Sequence, residues 1–562
     1  MKTKRKLYLH YLGLAGAIIL GASLRFWNLD LKPLWTDEVI TAIFSLGKNY
    51  NDLPLDMLSP LERVPEIFTF KPGITYAQIA NNLATQSTHP PLFFCGMYTW
   101  LEWINPLCQT CVKELRLLPA LFGVGAIAVI YAINSIAFSS TAGIVGALLI
   151  AVSPFAVYLS QEARHYSIPI FLISLSLLAL MQIQQYIFQR KNIRIWVWVF
   201  WIIINIIGLY VHYFFALAFI AEILTLLILI YWSKAKVLNK HKILLTLIVS
   251  TSTVVISFIP WLLVTVSHSN SSQTNWLPTP NNIAPIYQTL ISWILMVIAL
   301  PVENQPLVII AICGFLMVSF AIWIWWQAYK GLKLLCRQNH SNLAILTLLI
   351  FTIIVILEFF AIVYFLGKDI TIVPRYHFVY YPSFCALLGA SISKNKKAQI
   401  MIVLVGVVSC IFIVNNIVFH KPFYPEQVAQ NMNLEPEIPV MLVVGYSDYQ
   451  DIALGLSFAL ALEQVRSQPS SGEFQINHPI DTFKSDSFAL LDKEPNLSAF
   501  WKKLSQLPIP TTSGMNLWIV GPGMIKQDYP QHFVLSQHTT CNIDPSHHYR
   551  IGVPYQLYRC SN

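Results

Sequence analysis

The sequence predicts a polytopic α-helical membrane protein that ends in a small soluble α/β domain. Its 562 residues are 56% hydrophobic and only 11% charged, with a mean hydropathy of +0.58, far outside the range of soluble globular proteins. Apolar runs of spanning length continue to about residue 420, and shorter apolar stretches between polar turns follow. We therefore expect a membrane domain over residues 1–420 and a soluble domain over residues 421–562.

Eleven runs reach the length of about 20 apolar residues that a spanning helix needs. They cover residues 8–28, 115–137, 142–160, 166–188, 195–211, 213–232, 243–266, 306–328, 343–366, 376–393 and 398–419. The first run is expected to remain as a helix, because no A-x-A-like cleavage site follows it. Two shorter stretches bounded by prolines, 91–105 and 286–301, would raise the number of crossings to thirteen.

Charge decides whether those two stretches cross, because Lys and Arg concentrate in cytoplasmic loops. With eleven crossings and a cytoplasmic N-terminus, every basic loop falls inside: 189–194, 233–242, 330–338 and 393–399. The opposite loop 267–282 has no Lys or Arg. We therefore expect interfacial or re-entrant helices at 91–105 and 286–301. The first loop, 30–114, and the C-terminal domain would then be exoplasmic on a plasma (inner) membrane.

The tail after residue 421 has the pattern of an α/β domain. "PVMLVVGYS", "NLWIVGPG" and "YQLYRC" predict strands, and "YQDIALGLSFALALEQV" predicts a helix. The "GPG" lacks the spacing of a phosphate-binding loop and is expected to be a turn. Of nine cysteines, Cys108 and Cys111 form a single CxxC, which favours a local disulfide or an incidental pair over a redox or zinc site.

The net charge of +9 does not predict nucleic-acid binding. The basic residues lie in short clusters between apolar runs, where membrane topology explains them.

Polar side chains collect at the exoplasmic ends of the runs. They are Asp37, Glu38, His89, Arg116, Glu162, Arg164, His165, Tyr166, His212, Tyr213, Arg375, Tyr376 and His377. Taken singly, each has an ordinary explanation: a solvated helix boundary, an interfacial histidine, a snorkelling arginine or a member of the aromatic belt. Together they are unusual, because exported short loops are normally poor in arginine.

Two of these arginines predict an anion-binding site. Arg164 and Arg375 each lie beside a histidine and a tyrosine at separate exoplasmic connections. A guanidinium suits phosphate because its planar fork donates two hydrogen bonds. A carboxylate such as Asp37 can accept the proton of an attacking hydroxyl. These residues together predict group transfer from a lipid-linked phosphate at the outer membrane surface.

The same motifs resemble a known family. "WTDE" after the first run, "HPPL" late in the first loop, "LRLLPAL", "SQEARHYSI" and "PRYHF" resemble the dolichyl-phosphate-mannose-protein mannosyltransferase-like superfamily. This superfamily comprises glycosyltransferase family 39 and its bacterial relatives, including the aminoarabinose transferase of lipid A. The resemblance covers about residues 7–420 and leaves the C-terminal tail outside.

The resemblance implies a C-type glycosyltransferase that uses a polyprenyl-phosphate sugar and inverts the anomeric carbon. It implies Asp37 as general base with Glu38 as a supporting or acceptor-binding group. Arg164 and Arg375, with the neighbouring Tyr166 and Tyr376, would hold the lipid phosphate. Secondary substrate contacts would come from His89, Arg116, Glu162, His165 and His212. Some relatives have "RPD" after the third helix, and this chain has no aspartate there.

Several alternatives stay open at the level of sequence. The sugar is not specified, the acceptor could be a protein, a lipid or a glycan, and Asp37, Glu38 and His89 leave a divalent cation open. The main rival is a transporter or flippase of an anionic polyprenyl lipid, for which the mid-membrane Glu222 and Glu358 would be relevant. A membrane-anchored scaffold would not explain eleven crossings.

Overall fold

The computed structural model describes residues 2–105, 107, 111–189, 192–232, 239–268, 277–337, 342–467, 486–508, 514–536 and 539–561. Cys108 and parts of the loops that set the predicted topology, 189–194, 233–242, 267–282 and 330–338, lie outside these residues.

The predicted membrane region and first loop are helical. Their helices are α1 (Lys2–Phe26), α2 (Thr36–Ser45), α3 (Val64–Ile67), α4 (Tyr76–Gln86), α5 (Leu92–Ile104), α6 (Val112–Ala137), α7 (Ser140–Ala151), α8 (Pro154–Ser160), α9 (Ser167–Phe188), α10 (Ile195–Val211), α11 (Phe215–Trp232), α12 (Lys240–Ser267), α13 (Ala284–Leu295), α14 (Leu307–Cys336), α15 (Asn342–Leu366), α16 (Tyr381–Ile392) and α17 (Lys396–Val414). Short 3₁₀ turns precede α16, at Ile370–Ile372 and Pro374–Val379.

The class of multi-pass membrane protein is confirmed. Among the described residues, 7 helices are long and apolar enough to span a bilayer, and the bent pair α7 and α8 would make up to 8. Shorter apolar helices, His10–Phe26, α10 and α16, occupy the remaining predicted runs. The two stretches at 91–105 and 286–301 contain α5 and α13, which have 13 and 12 residues. Their interfacial placement stays a prediction.

The chain forms two compact units. Unit 1 comprises Met1–Leu29, Ser87–Gly96 and Leu115–Phe419, and holds the bundle of apolar helices. Small residues allow close helix packing there: a Cβ on Gly389 of α16 would lie 2.7 Å from the Cα of Gly146 in α7. Small residues of this kind are typical of helix contacts inside a membrane.

Unit 2 comprises Asp30–Gln86, Met97–Glu114 and His420–Asn562. Its tail adds α18 (Pro425–Met432), α19 (Tyr449–Ser467) and α20 (Leu497–Ser505). Its strands are β1 (Leu58–Pro60), β2 (Val440–Tyr446), β3 (Ser487–Asp492), β4 (Met515–Val520), β5 (His532–Leu535), β6 (Thr539–Ile551) and β7 (Val553–Ser561). They form one sheet in the order β1-β3-β2-β4-β7-β6-β5, in which β3, β2 and β4 are parallel. The small α/β domain predicted for the tail is thus confirmed.

The first loop is part of the same fold as the tail. Strand β1 pairs antiparallel with β3, with Leu58 opposite Ala489. Ser457 of α19 donates its hydroxyl to the carbonyl oxygen of Leu34, just before α2, at 2.7 Å. The compact units therefore group residues 30–86 and 97–114 with the tail, whereas the sequence-based division placed the first loop with the membrane domain.

Candidate active site

The centre of the polar region in unit 1 is Tyr166. The Nε of Arg375 donates to its hydroxyl at 3.0 Å, and the guanidinium carbons of Arg164 and Arg375 lie 5.7 and 5.8 Å from its ring centroid. We call these three residues the arginine–tyrosine cluster. The sequence separates Arg375 from Tyr166 by 209 positions, and the fold brings them together. Such distances allow cation–π attraction from both guanidinium groups to one ring.

Local sequence explains how the two arginines are presented. Arg164 and Tyr166 lie in the short connection between α8 and α9, and Arg375 lies in the 3₁₀ turn Pro374–Val379. Pro374 begins that turn, as a proline with its fixed φ often does. Arg164 is buried, at 4% exposure, whereas Arg375 is half-buried. Arg375 is therefore the more accessible guanidinium of the two.

Three histidines lie around Arg164. The Nη2 of Arg164 is 3.4 Å from the Nε2 of His89, whose Nδ1 is 2.9 Å from the hydroxyl of Ser87. Because a guanidinium only donates, Nε2 is the acceptor in this contact. The ring of His165 lies 5.4 Å from that of His89 and 4.4 Å from that of His212.

Burial keeps two of these histidines neutral. The pKa of His165 is held well below its usual value by burial, and then by the neighbouring His212 and Arg164. Burial also lowers the pKa of His212 well below its usual value, with His89 and Arg164 adding to the effect. At neutral pH both imidazoles are therefore uncharged, and the positive charge of the region comes from the arginines.

His165 has no hydrogen-bond partner for either ring nitrogen among the described residues, although it is only 1% exposed. An unpaired buried polar group is costly, typically by about 1–3 kcal/mol. The imidazole of His165 is thus available to hydrogen-bond a ligand oxygen.

Glu162 and Tyr376 lie in the same two connections as Arg164 and Arg375, whereas Arg116 lies in α6. Glu162 is fully buried two residues before Arg164, and Tyr376 lies 5.9 Å below the guanidinium carbon of Arg375. Arg116 is 1% exposed and donates to the carbonyl oxygen of Leu29 at 2.6 Å. This contact ties the start of α6 to the segment after α1, so it serves the fold.

Asp37 and Glu38, which we call the acidic pair, lie in the first turn of helix α2 in unit 2. Glu38 is fully buried and forms an ion pair with Lys421 at 3.3 Å, and it also accepts from the backbone N–H of Trp35 at 3.5 Å. Asp37 is half-buried. Glu38 is therefore already neutralised by a lysine that sequence reasoning missed, and Asp37 is the more accessible carboxylate.

The two glutamates inside apolar helices, Glu222 and Glu358, have different surroundings. Glu222 of α11 accepts from the Ser176 hydroxyl and from the Trp201 indole, both at 2.6 Å, and so links three helices. Neither carboxylate oxygen of Glu358, half-buried in α15, has a hydrogen-bond partner among the described residues. Glu222 has the contacts of a structural residue.

No metal centre is assigned. Within the described ranges, no group of three or more His, Cys, Asp and Glu side chains is arranged to hold a metal ion.

No family model matches this chain, and no curated protein matches it. Solved structures similar to it are C-type glycosyltransferases. One is ArnT, an aminoarabinose transferase, from Cupriavidus metallidurans bound to undecaprenyl phosphate, with 11% identity and a TM-score of 0.49 over 98% of this chain and 97% of that one.

Another similar structure is the oligosaccharyltransferase of Archaeoglobus fulgidus in complex with Zn and sulfate, with 13% identity and a TM-score of 0.42 over 79% of this chain and 61% of that one. A third is AglB from the same organism, in complex with an inhibitory peptide and a dolichol-phosphate, with 13% identity and a TM-score of 0.41 over 81% and 64%. This chain thus spans less than two thirds of the archaeal enzyme. At such low similarity, residue roles have to come from this chain itself.

Proposed function

We propose that this protein is a membrane glycosyltransferase that moves a sugar from a polyprenyl-phosphate donor to a hydroxyl or amine acceptor. The observation that carries the proposal is the arginine–tyrosine cluster: two guanidinium groups, distant in sequence, share one tyrosine ring in unit 1. The unpaired imidazole of His165 lies beside them. Guanidinium groups in a water-poor site are well suited to a phosphate.

The proposed reaction is a single displacement. The acceptor oxygen or nitrogen attacks the anomeric carbon, the bond between that carbon and the phosphate oxygen breaks, and the phosphate leaves with the electron pair. Arg164 and Arg375 stabilise the charge that develops on the leaving phosphate. Asp37 takes the proton of the acceptor. Attack from the face opposite the phosphate inverts the anomeric centre.

The roles within the acidic pair differ. Asp37 is assigned as the base because it is the more accessible carboxylate, and Glu38 is assigned a supporting role because Lys421 neutralises it. The ion pair of Glu38 holds the first turn of α2, which carries Asp37. Secondary contacts to the donor are assigned to His89 and His165, with Tyr376 beside Arg375.

An exoplasmic location of unit 2 is supported by its cysteines. Cys541 and Cys560 form a disulfide between the paired strands β6 and β7, and Cys111 is also disulfide-bonded. Disulfides are typical of oxidising compartments outside the cytosol. The cysteines described as thiols, Cys95, Cys313, Cys336, Cys385 and Cys410, all belong to unit 1.

The proposal is tested by transfer in vitro. Full-length protein in nanodiscs is incubated with defined polyprenyl-phosphate sugars, and the release of polyprenyl phosphate is followed by mass spectrometry. Comparing envelope glycans and glycolipids with and without the protein identifies the sugar and acceptor to use. Release of polyprenyl phosphate with a glycosylated product supports the proposal. Movement of the intact lipid across the bilayer without cleavage would instead establish a flippase.

A further inference from the structure

Arg25 is a fully buried cation near the C-terminal end of α1, outside the arginine–tyrosine cluster. Its Nη1 donates to the carbonyl oxygens of Gly21 at 2.9 Å and of Ala151 at 3.0 Å. Its Nη2 donates to the carbonyl oxygen of Ile150 at 2.9 Å. Two of these three acceptors belong to the last turn of α7. The guanidinium of Arg25 is thus bound by backbone dipoles of a second helix.

That turn of α7 lies at a break in the helical path. Helix α7 ends at Ala151, α8 begins at Pro154, and the two axes are bent by 58°. A proline at the first position of a helix has no N–H to give to the preceding turn, so the last carbonyls of α7 lack intrahelical donors. Arg25 supplies donors to two of them. Its positive charge also suits the negative end of the α7 dipole.

Gln161 donates in the opposite direction, from the segment after α8 to the end of α1. It follows α8 directly, and its Nε2 donates to the carbonyl oxygens of Trp27 at 2.7 Å and of Leu24 at 3.3 Å. The end of α1 is therefore capped from α8, while the end of α7 is capped from α1. We call Arg25 and Gln161 the cross-capping pair.

The surrounding packing leaves this pair little freedom. A Cβ on Gly123 of α6 would lie 3.0 Å from the Nε of Arg25 and 2.1 Å from the hydroxyl oxygen of Ser160. A Cβ on Gly21 would lie 3.1 Å from the Nη1 of Arg25. Glycines at both positions make room for the guanidinium, so its position is defined on several sides.

We infer that the cross-capping pair consists of positioning residues for the lipid-phosphate site. Gln161 is immediately followed by the segment 162–166, which carries Glu162, Arg164, His165 and Tyr166. Arg25 stabilises the bend between α7 and α8, and Gln161 fixes the C-terminal end of α8. Together they determine the position of the segment 162–166. The inference rests on the proposed function, because it gives the pair a part in presenting Arg164 and Tyr166 to the donor phosphate.

The test measures binding of undecaprenyl phosphate to the full chain in nanodiscs, together with the unfolding temperature. Arg25→Met removes the donors and is expected to weaken binding by about 10- to 100-fold, the size of effect expected when a displaced segment 162–166 loses one hydrogen bond from Arg164 to the phosphate. Arg25→Lys keeps the charge and should recover part of the affinity. The matched control is Arg194→Met, because Arg194 is an exposed arginine whose hydrogen bond joins it to Tyr186. This control should bind as the wild type does.

A double-mutant cycle separates positioning from general destabilisation. If Arg25 acts through the segment 162–166, Arg25→Met should cost little further affinity once Arg164→Ala is present. Equal losses in both backgrounds, or wild-type affinity of Arg25→Met, would overturn the inference. Wild-type protein that does not bind the lipid phosphate would overturn the proposed function instead.

A second variant covers the case in which Arg25→Met does not fold. Gln161→Asn shortens the side chain by one methylene and moves its amide away from the Trp27 carbonyl. The same loss of affinity, coupled to Arg164→Ala, is expected. Unchanged affinity in Gln161→Asn would remove Gln161 from the pair.

Discussion

The arginine–tyrosine cluster of unit 1 and the acidic pair of unit 2 hold their charges in different ways. In unit 1, Arg164 and Arg375 lie over the ring of Tyr166, and Arg164 contacts the imidazole of His89. In unit 2, Glu38 is matched by the opposite charge of Lys421. A guanidinium over an aromatic ring keeps its positive charge, whereas the charges of a buried ion pair largely cancel each other. We therefore propose that the arginine–tyrosine cluster binds the donor phosphate and that Glu38 supports Asp37.

The sharpest test of the acidic pair is Asp37→Asn. If Asp37 is the base, the rate of sugar transfer should fall by about 10² to 10⁴, since that is the usual contribution of a general base. The fold should be retained, because Asn keeps the size and polarity of this half-buried side chain. Single-turnover transfer measures the rate, and the unfolding temperature is the control. Near-normal transfer would remove Asp37 from the mechanism.

Glu38→Gln should affect stability more than any change to Asp37. It leaves the buried Lys421 without its carboxylate, and breaking a buried pair in this way costs about 3–5 kcal/mol. The double variant Glu38→Gln with Lys421→Met removes both charges and should recover much of this loss. Thermal unfolding of the wild type, Glu38→Gln, Lys421→Met and the double variant measures the coupling energy between Glu38 and Lys421. Additive losses would show that Glu38 and Lys421 do not stabilise the fold through their ion pair.

Arg375→Ala should weaken binding of undecaprenyl phosphate by about 10- to 100-fold, because a hydrogen bond to a charged group contributes about 1.5–3 kcal/mol. Arg375→Lys should be intermediate, since lysine keeps the charge but lacks the planar fork. Tyr166→Phe removes only the hydroxyl that Arg375 contacts and should have a smaller effect. Titration in nanodiscs measures all three. Unchanged affinity in Arg375→Ala would show that Arg375 does not bind the phosphate and has a structural role instead.

The smallest effect expected is on the pH dependence of stability. His165 has a folded-state pKa well below its usual value because it is buried next to His212 and Arg164. Below about pH 6.5 the imidazole of His165 is therefore protonated in the unfolded chain and not in the folded chain. The free energy of unfolding then decreases by about 1 kcal/mol for each unit by which the pH is lowered. His165→Phe should reduce this slope between pH 6.5 and 5.5. Unfolding curves at the two pH values measure it, and equal slopes would mean that His165 is not held neutral.

The helical runs were predictable because hydropathy is a local property, and 7 of the described helices, or up to 8 with the bent pair α7 and α8, are long and apolar enough to span a bilayer. All eleven predicted runs contain helices, and the strands expected in "PVMLVVGYS", "NLWIVGPG" and "YQLYRC" form β2, β4 and β7. The bend between α7 and α8 was missed, although Pro154 was visible in the sequence. A proline can either begin a helix or interrupt one, and the sequence around Pro154 does not distinguish the two cases.

The sequence singled out Arg164 and Arg375, because arginines in exported loops break a compositional rule. The structure brings both to Tyr166, and their role as phosphate ligands stays a prediction. Sequence reasoning missed Lys421 and Gln161, since one lysine after the last apolar run and one glutamine before "EAR" carry no pattern. It also treated the first loop as part of the membrane domain, because the pairing of β1 with β3 joins segments more than 400 residues apart.

By itself the sequence determined the membrane class, the helical runs and the types of residue near their ends, since burial in lipid constrains composition one segment at a time. Only the tertiary structure decided which of those residues meet: both arginines at Tyr166, Glu38 at Lys421, and Arg25 at the carbonyls of α7. The physical reason is that a charge is stabilised by whatever lies within a few ångströms of it, and those neighbours come from distant parts of the chain.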